Sequence, residues 1–97
     1  MDLVVETFDF SGKFLKELSR LDPNTQKAAK QALALLHANP KAATLRCKPR
    51  PNFGRPLLWK IDVYSNKSYQ ISFEMVGRVA CLKRIATHAE IDRNPRG

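Results

Sequence analysis

The spacing of hydrophobic residues changes along the chain, and the changes divide it into predicted strands and helices. Residues 3–8 are a strand candidate, because Val4, Val5 and Thr7 are β-branched. After Ser11, a residue type that caps helices, apolar positions recur at helical spacing. These positions are Phe14, Leu18 and Leu21, with Leu15 beside them, and the residues expected to face outward are Lys13, Lys16, Glu17 and Arg20. The pattern predicts a short strand followed by a short helix.

A second predicted helix has the clearest boundaries in the sequence. Asp22 stands at the N-cap position and Pro23 at the first helical position, where the missing N–H of proline costs little. The apolar positions that follow at helical spacing are Ala29, Leu33 and Leu36. Asn39 and Pro40 end the helix. Because only one or two residues separate the two helices, we expect them to form an antiparallel hairpin.

The second half of the chain alternates between apolar and polar residues, as half-buried strands do. Strands are predicted over residues 57–64, 69–75 and 79–86, with a turn at 65–68 and a tight hairpin at Val76 and Gly77. The last strand carries apolar residues on both faces, so its bulkier set is placed inward. The inward set is Val79, Cys81 and Ile85, and the outward set is Ala80, Leu82 and Ala86. Arg84 and His88 then share the open face.

These elements predict a fold class. Tight turns require antiparallel pairing of the strands they join, and a helix hairpin can cover one face of the resulting sheet. We therefore predict one α+β domain over residues 1–97, in which an N-terminal strand and an antiparallel helix hairpin pack on a mainly antiparallel sheet.

Residues 41–60 interrupt the pattern and concentrate positive charge. Four of the six prolines fall in or beside this stretch, which predicts a stiff, irregular loop. Its basic residues, with no acidic residue among them, are Lys41, Arg46, Lys48, Arg50, Arg55 and Lys60. The whole chain has 17 basic and 9 acidic residues, a net charge of +8 and a pI near 9.9. This excess favours a polyanionic partner, either nucleic acid or an acidic protein, and phosphate contact is expected at the loop.

The remaining composition narrows the functional classes. Cys47 and Cys81 lack metal or redox spacing, so we expect two reduced thiols packed as small apolar groups, with no metal site and no cofactor. No apolar run is long enough to span a membrane, and no secretory signal opens the sequence. A cytoplasmic protein without membrane contact is therefore expected.

The order of the elements and several short motifs resemble the RelE/ParE superfamily, the toxins of type II toxin–antitoxin systems, and especially its YafQ-like and HigB-like members. The resemblance extends over essentially the whole chain, and its sharpest part is the closing segment around His88. The matching segments are Phe14-Leu15-Lys16, Leu21-Asp22-Pro23, Leu35-Leu36, Asn39-Pro40, Leu45-Arg46-Cys47-Lys48-Pro49, the strand that contains Trp59, Tyr69-Gln70-Ile71-Ser72-Phe73 and Arg84-Ile85-Ala86-Thr87-His88-Ala89-Glu90-Ile91.

The resemblance implies a fold like that of small microbial ribonucleases and an activity as a ribosome-dependent messenger RNA interferase. In that reaction the ribose 2′-hydroxyl attacks the neighbouring phosphate, which requires a base, an acid and positive charge but no metal. His88 is of the residue type that titrates near neutrality, at a position the family uses. Lys48 stands where these toxins keep a lysine or histidine close to the scissile phosphate, and Arg84 is a further source of positive charge.

Two positions depart from the family pattern. Gln70 replaces an arginine, and its amide can hydrogen-bond a phosphate oxygen without neutralising it. Asp92 replaces an aromatic residue four positions after His88 and is interpreted as a carboxylate partner of His88. The catalytic candidates are His88, Lys48, Arg84 and Asp92, and the RNA-binding candidates are Arg46, Arg50, Arg55, Lys60 and Gln70.

The resemblance also implies partners and leaves two alternatives open. The expected partners are a cognate antitoxin, which should be acidic, together with the ribosome and messenger RNA; operator DNA would be contacted only through the antitoxin. One alternative is a ParE-like inhibitor of DNA gyrase without nuclease activity. The other is a catalytically silent member that binds through its basic surface. All three share one fold, so the fold cannot distinguish them.

Overall fold

The computed structural model describes residues 3–64 and 68–97, and the described strands form one five-stranded sheet. The elements are β1 Thr7–Phe10, α1 Gly12–Ser19, α2 Pro23–Ala38, β2 Lys48–Arg50, β3 Leu58–Asp62, β4 Tyr69–Val76, β5 Val79–Thr87 and α3 His88–Arg93. The strand order is β1-β5-β4-β3-β2, in which β1 is parallel to β5 and the other neighbours are antiparallel. The α+β prediction, with helices packed on a mostly antiparallel sheet, is confirmed. The turn predicted at 65–68 lies largely outside the described residues.

The N-terminal strand exists, but it begins four residues later than predicted. Its pairing with β5 starts where Thr7 faces Val79. Just before it, the backbone N–H of Glu6 donates to the carbonyl of Arg78 over 2.8 Å, outside the regular ladder. β-branched residues alone could not locate this boundary. The start of β1 depends on where β5 begins, and β5 lies about seventy residues later in the chain.

Both long helices begin as their sequences predict. The Ser11 hydroxyl accepts from the N–H of Phe14 over 3.1 Å, and the Asp22 carboxylate accepts from the N–H of Thr25 over 3.1 Å. A second hydrogen bond, from the Thr25 hydroxyl to Asp22, measures 2.6 Å. These bonds to the Thr25 side chain and backbone lower the pKa of Asp22. Asn39 ends α2 as the C-cap residue.

The main core lies between the helices and one face of the sheet. Phe14 of α1 and Leu36 of α2 are fully buried there against Phe73 of β4. The other buried members of this cluster are Val5, Ala29, Ala32, Leu33, Leu45, Ile61, Ile71, Ala80, Leu82 and Ile85. The burial of Ala29, Leu33 and Leu36 confirms the helical face predicted for α2.

A bulge in β5 corrects the predicted orientation of the last strand. Ser72 pairs with Arg84 but Phe73 pairs with Leu82, so one residue of β5 is left without a partner in the ladder. The extra residue puts Ala80, Leu82 and Ile85 together in the core, although their spacing is not that of a regular strand. The inward placement was right for Ile85 and wrong for Val79 and Cys81, which are only half-buried.

The second face of the sheet is covered rather than open, because α3 and the residues that follow it pack across it. Ile91 of α3 is 1% exposed, and the Ser72 hydroxyl donates to the carbonyl of Pro95 over 2.6 Å. The polar residues of this face are buried as a result; they are Lys60, Asp62, Gln70, Ser72, Glu74 and Arg84. Alternation in the sequence identified this face correctly but not its burial.

Residues 41–60 contain more regular structure than the predicted loop. Lys48–Arg50 form β2, an edge strand paired with β3, and short 3₁₀ turns lie at Ala43–Leu45 and Pro51–Phe53. Pro49 is tolerated in β2 because an edge strand pairs on one side only. The prediction of an irregular loop was therefore wrong for residues 48–50. In the described part of the chain, no helix has the length and apolar character needed to cross a bilayer.

Candidate nucleic-acid interface

A small surface cleft brings together residues from four different parts of the chain. It is lined by Arg46, Lys48, Lys60, Asp62, Gln70 and His88. Lys48 belongs to β2, Lys60 and Asp62 to β3, Gln70 to β4 and His88 to the start of α3. Five of these six residues are site candidates from the sequence. The exception is Asp62, which was not a candidate.

Hydrogen bonds and ion pairs connect the polar groups of the cleft in a continuous series. The Gln70 amide nitrogen donates to Asp62 Oδ1 over 2.8 Å, and the Gln70 amide oxygen accepts from Lys60 Nζ over 3.3 Å. Lys60 Nζ also donates to Asp92 Oδ1 over 3.4 Å. The other Asp92 oxygen, Oδ2, lies 3.5 Å from His88 Nδ1. We call the five residues Asp62, Gln70, Lys60, Asp92 and His88 the polar series.

His88 is the exposed end of the polar series. It is the first residue of α3, and the preceding Thr87 caps the helix by accepting from the N–H of Glu90 over 3.3 Å. Asp92 is one helical turn later, so both side chains lie on one side of the helix. The His88 side chain is 47% exposed, which leaves the ring accessible from solution. The predicted pairing of Asp92 with His88 is present in the structure.

Two arginines lie beside the two carboxylates of the series. Arg46 Nε lies 3.8 Å from Asp62 Oδ2, and Arg50 Nη1 lies 3.5 Å from Asp92 Oδ1. The Arg50 guanidinium also stacks over the Phe53 ring, 5.6 Å from its centroid. Together with Lys48 and Lys60, these arginines give the site four cations against two carboxylates. The site therefore keeps a positive balance even with its carboxylates ionised.

The structure places Lys60 and Gln70 under this surface rather than on it. Lys60 is 8% exposed and Gln70 is 2% exposed. Among the described residues, Asp62 Oδ2 is a buried side-chain oxygen without a hydrogen-bond partner, although Arg46 approaches it. Lys48 and Arg46 are the exposed cations of the cleft.

Arg84 does not share an open face with His88, which corrects the sequence-based expectation. Its guanidinium donates to Glu17 Oε2 over 2.6 Å, to the Asn94 carbonyl over 3.0 Å and to Glu90 Oε2 over 3.2 Å. The hydrogen bond with Glu17 raises the pKa of Arg84. Arg84 is 8% exposed, so its charge is taken up by carboxylates of the protein itself. Burial under α3 is the physical reason, since alternation alone leaves this face uncovered.

Arg55 lies in the loop, exposed, before the cis peptide bond to Pro56. Among the described residues, Arg55 is not part of the lining of the cleft. The residues that sequence analysis did not assign to a site are Asp62 and Glu17. A signal for Asp62 was available, because it follows Lys60 by two residues and so lies on the same face of the predicted strand. No local signal distinguished Glu17 from the other polar residues of α1.

Solved structures of other proteins share this arrangement of elements. YafQ from E. coli strain BL21(DE3) matches with a TM-score of 0.69 at 17% identity, over 87% of this chain and 94% of YafQ. The isolated E. coli RelE toxin matches with a TM-score of 0.62 at 15% identity, over 95% of this chain and 98% of RelE. The chain has the fold of the RelE-like toxins.

A third structure, from the RelB–RelE antitoxin–toxin complex of Methanococcus jannaschii, matches with a TM-score of 0.60 at 20% identity, over 88% of this chain and 95% of the matched chain. No protein-family model and no curated protein sequence matches the chain. At these identities the likeness concerns the RelE-like fold alone, and chemistry has to be argued from the cleft.

Proposed function

We propose that this chain is the toxin of a toxin–antitoxin pair and that it cleaves messenger RNA on the ribosome without a metal ion. The observation that carries the proposal is the placement of exposed His88 beside Asp92 in a cleft lined by Arg46, Lys48 and Lys60. An imidazole for proton transfer and several cations around it are the groups that RNA cleavage by 2′-hydroxyl attack requires.

The proposed reaction forms a bond between the 2′-oxygen and phosphorus and breaks the bond between phosphorus and the 5′-oxygen. The products are a 2′,3′-cyclic phosphate and a free 5′-hydroxyl. Asp92 engages His88 through Nδ1, so Nε2 is the ring nitrogen that faces the substrate. The 2′-hydroxyl loses its proton to Nε2, and the departing 5′-oxygen gains a proton from the ring, so the ring ends the reaction in the protonation state in which it began. Lys48 and Arg46 face the phosphate whose negative charge grows in the transition state, and Lys60 adds its charge from below.

The proposal includes an acidic antitoxin as partner. A chain with a net charge of +8 attracts an anionic segment and accelerates its association at low salt. RelE of M. jannaschii was solved with its antitoxin RelB, which is a precedent within this fold. We expect the antitoxin segment either to cover residues 46–55 or to displace the segment around His88, and both arrangements block access of RNA to the cleft.

Primer extension on messages from cells that express the chain tests this function. Wild-type protein is expected to produce cuts at defined codon positions, and His88→Ala is expected to abolish them. His37→Ala is the matched control, because His37 bonds the Val5 carbonyl through Nδ1 over 2.8 Å and is not part of the cleft. The His37→Ala variant should produce the same cuts as the wild type.

Two other outcomes would reject the proposal. Intact messages together with a DNA-damage response would identify the ParE-like gyrase inhibitor. Intact messages without any response, from protein that is folded by circular dichroism, would identify a silent binding module. If His88→Ala cut messages as fully as the wild type, the nuclease function would stand, but His88 would have no part in its mechanism.

A further inference from the structure

Gln70 is the second residue of the polar series and is almost fully buried. Its side chain is 2% exposed, and it lies between Asp62 on one side and Lys60 on the other. An amide in this position cannot contact RNA without displacement of its neighbours. The RNA-binding role expected for Gln70 from the sequence therefore conflicts with its surroundings.

The two partners of Gln70 determine which way its amide points. An ionised carboxylate only accepts hydrogen bonds, so Asp62 must face the amide nitrogen. An ammonium group only donates, so Lys60 must face the amide oxygen. Because the opposite orientation would place two donors together and two acceptors together, the amide has a single favourable orientation.

This orientation keeps the charge of Lys60 available to Asp92. The amide separates the Asp62 carboxylate from the Lys60 ammonium, so Lys60 Nζ bonds a neutral oxygen on one side and Asp92 Oδ1 on the other. Asp92 in turn holds His88 at 3.5 Å. An arginine at position 70 has no acceptor for Lys60, and a glutamate would compete with Asp92 for Lys60 and repel Asp62.

We propose that Gln70 is a positioning residue that acts on His88 through Lys60 and Asp92, and that it does not contact RNA. The proposal rests on the proposed nuclease function for its kinetic consequences. The geometric part, in which Gln70 sets the environment of the His88 ring, stands independently of any activity.

A kinetic experiment distinguishes positioning from contact. Gln70→Met has a similar length and removes both hydrogen bonds. We expect kcat for cleavage of ribosome-bound messenger RNA to fall about 10-fold or more, while the Kd for the ribosome–messenger RNA complex stays within about twofold, because the exposed cations remain in place. A Kd that rises about 10-fold with kcat unchanged would show that Gln70 contacts RNA and would overturn the proposal.

A double-mutant cycle tests the path through Asp92. If Gln70 acts through Asp92, the Gln70→Met and Asp92→Asn changes disturb the same property, and the double variant is expected to be about as slow as the slower single variant. If the two decreases in kcat multiply instead, the residues act independently and the proposed path is wrong.

A spectroscopic readout separates failure of this inference from failure of the proposed function. In Gln70→Met we expect the NMR signals of the His88 ring to shift, although residue 70 makes no direct bond to it, while those of the His37 ring stay unchanged. Ser72→Ala is the matched control. Ser72 lies on β4, two residues after Gln70, and the substitution removes its buried hydrogen bond to the Pro95 carbonyl. It should lower stability and leave the His88 ring signals in place.

If Gln70→Met does not fold, Gln70→Asn provides the same test, because its shorter amide keeps the polarity but cannot span both partners. Unchanged His88 signals in a folded Gln70 variant would overturn the inference. Shifted His88 signals in a chain whose wild type cleaves no RNA would support the positioning role and reject only the nuclease.

Discussion

Arg84 Nη2 lies 2.6 Å from Glu17 Oε2, and this ion pair joins the last strand to the first long helix. The same guanidinium donates to Glu90 of α3 and to the Asn94 carbonyl that follows it. One side chain thus connects α1, β5 and the C-terminal segment that covers the second face of the sheet. The pair is largely removed from solvent, with 10% of the Arg84 side chain and 18% of the Glu17 side chain exposed.

Arg84→Ala is expected to destabilise the fold. It leaves Glu17 with an uncompensated and mostly buried charge, which costs about 3 kcal/mol in the free energy of unfolding. Urea unfolding measures this directly. The matched control is Arg78→Ala, whose pair with Glu6 is exposed on both sides and contributes roughly 1 kcal/mol or less. Equal losses in the two variants would contradict the structural role. A fully stable Arg84→Ala that has lost RNA cleavage would restore the catalytic role expected from the sequence.

Asp92→Asn is expected to separate binding from catalysis. Its carboxylate lies within ion-pair distance of Lys60, Arg50 and His88, so it neutralises part of the charge that attracts RNA. The neutral amide should tighten RNA binding and lower kcat roughly 10-fold or more, because the His88 ring loses its orienting carboxylate. Equilibrium binding and single-turnover cleavage measure the two effects. Weaker binding in this variant would show that Asp92 does not oppose phosphate.

Reversal of two charges on β2 is expected to reduce the salt dependence of RNA binding. Lys48→Glu with Arg50→Glu removes two proposed phosphate contacts, and the slope of log K against log salt should fall in magnitude by roughly 1.4 for a single-stranded RNA. The control is Lys27→Glu with Lys30→Glu, an equal charge change on exposed positions of α2. If both double variants behave alike, net charge rather than β2 governs binding.

Cys47 is expected to resist alkylation in the folded protein. Burial raises the pKa of its thiol to about 11 from an ordinary 9.0, so at pH 8 the folded chain holds far less thiolate than the unfolded one. In a Cys81→Ser background, iodoacetamide should modify Cys47 roughly 100-fold more slowly in buffer than in urea. The rate in the folded state should rise as the pH approaches 11. Rapid modification at pH 8 without denaturant would contradict the burial of this thiol.

Local sequence was sufficient for the features that depend on nearest neighbours. Ser11 and Asp22 cap their helices as expected, since a cap needs only a side-chain oxygen and the N–H groups of the next turn. The hairpin between β4 and β5 is also local; Val76 pairs with Val79, and Gly77 has the positive φ of 59° that such a turn favours. The positive charge of residues 41–60 is likewise visible from composition alone.

The cleft itself was predictable only in part. His88, Asp92 and Lys48 were selected through a resemblance, and the structure brings them near one another. Arg84 was selected in the same way and is instead held by Glu17, because α3 packs over its strand face. Residue type and position identify candidates, but whether a charge is free for a ligand depends on which other charges the fold places beside it.

Sequence by itself determined the order of β1, α1, α2, β3, β4 and β5, the caps of α1 and α2 and the basic character of the chain, because each follows from local chemistry; β2 and α3 were not predicted. Tertiary structure alone decided the rest. The bulge in β5 changes which residues enter the core, because strand pairing and not bulk sets the register. The C-terminal segment covers the sheet face that carries Gln70, and Gln70 is buried there between Lys60 and Asp62. Such burial arises from contacts between residues distant in the chain, for which local patterns carry no signal.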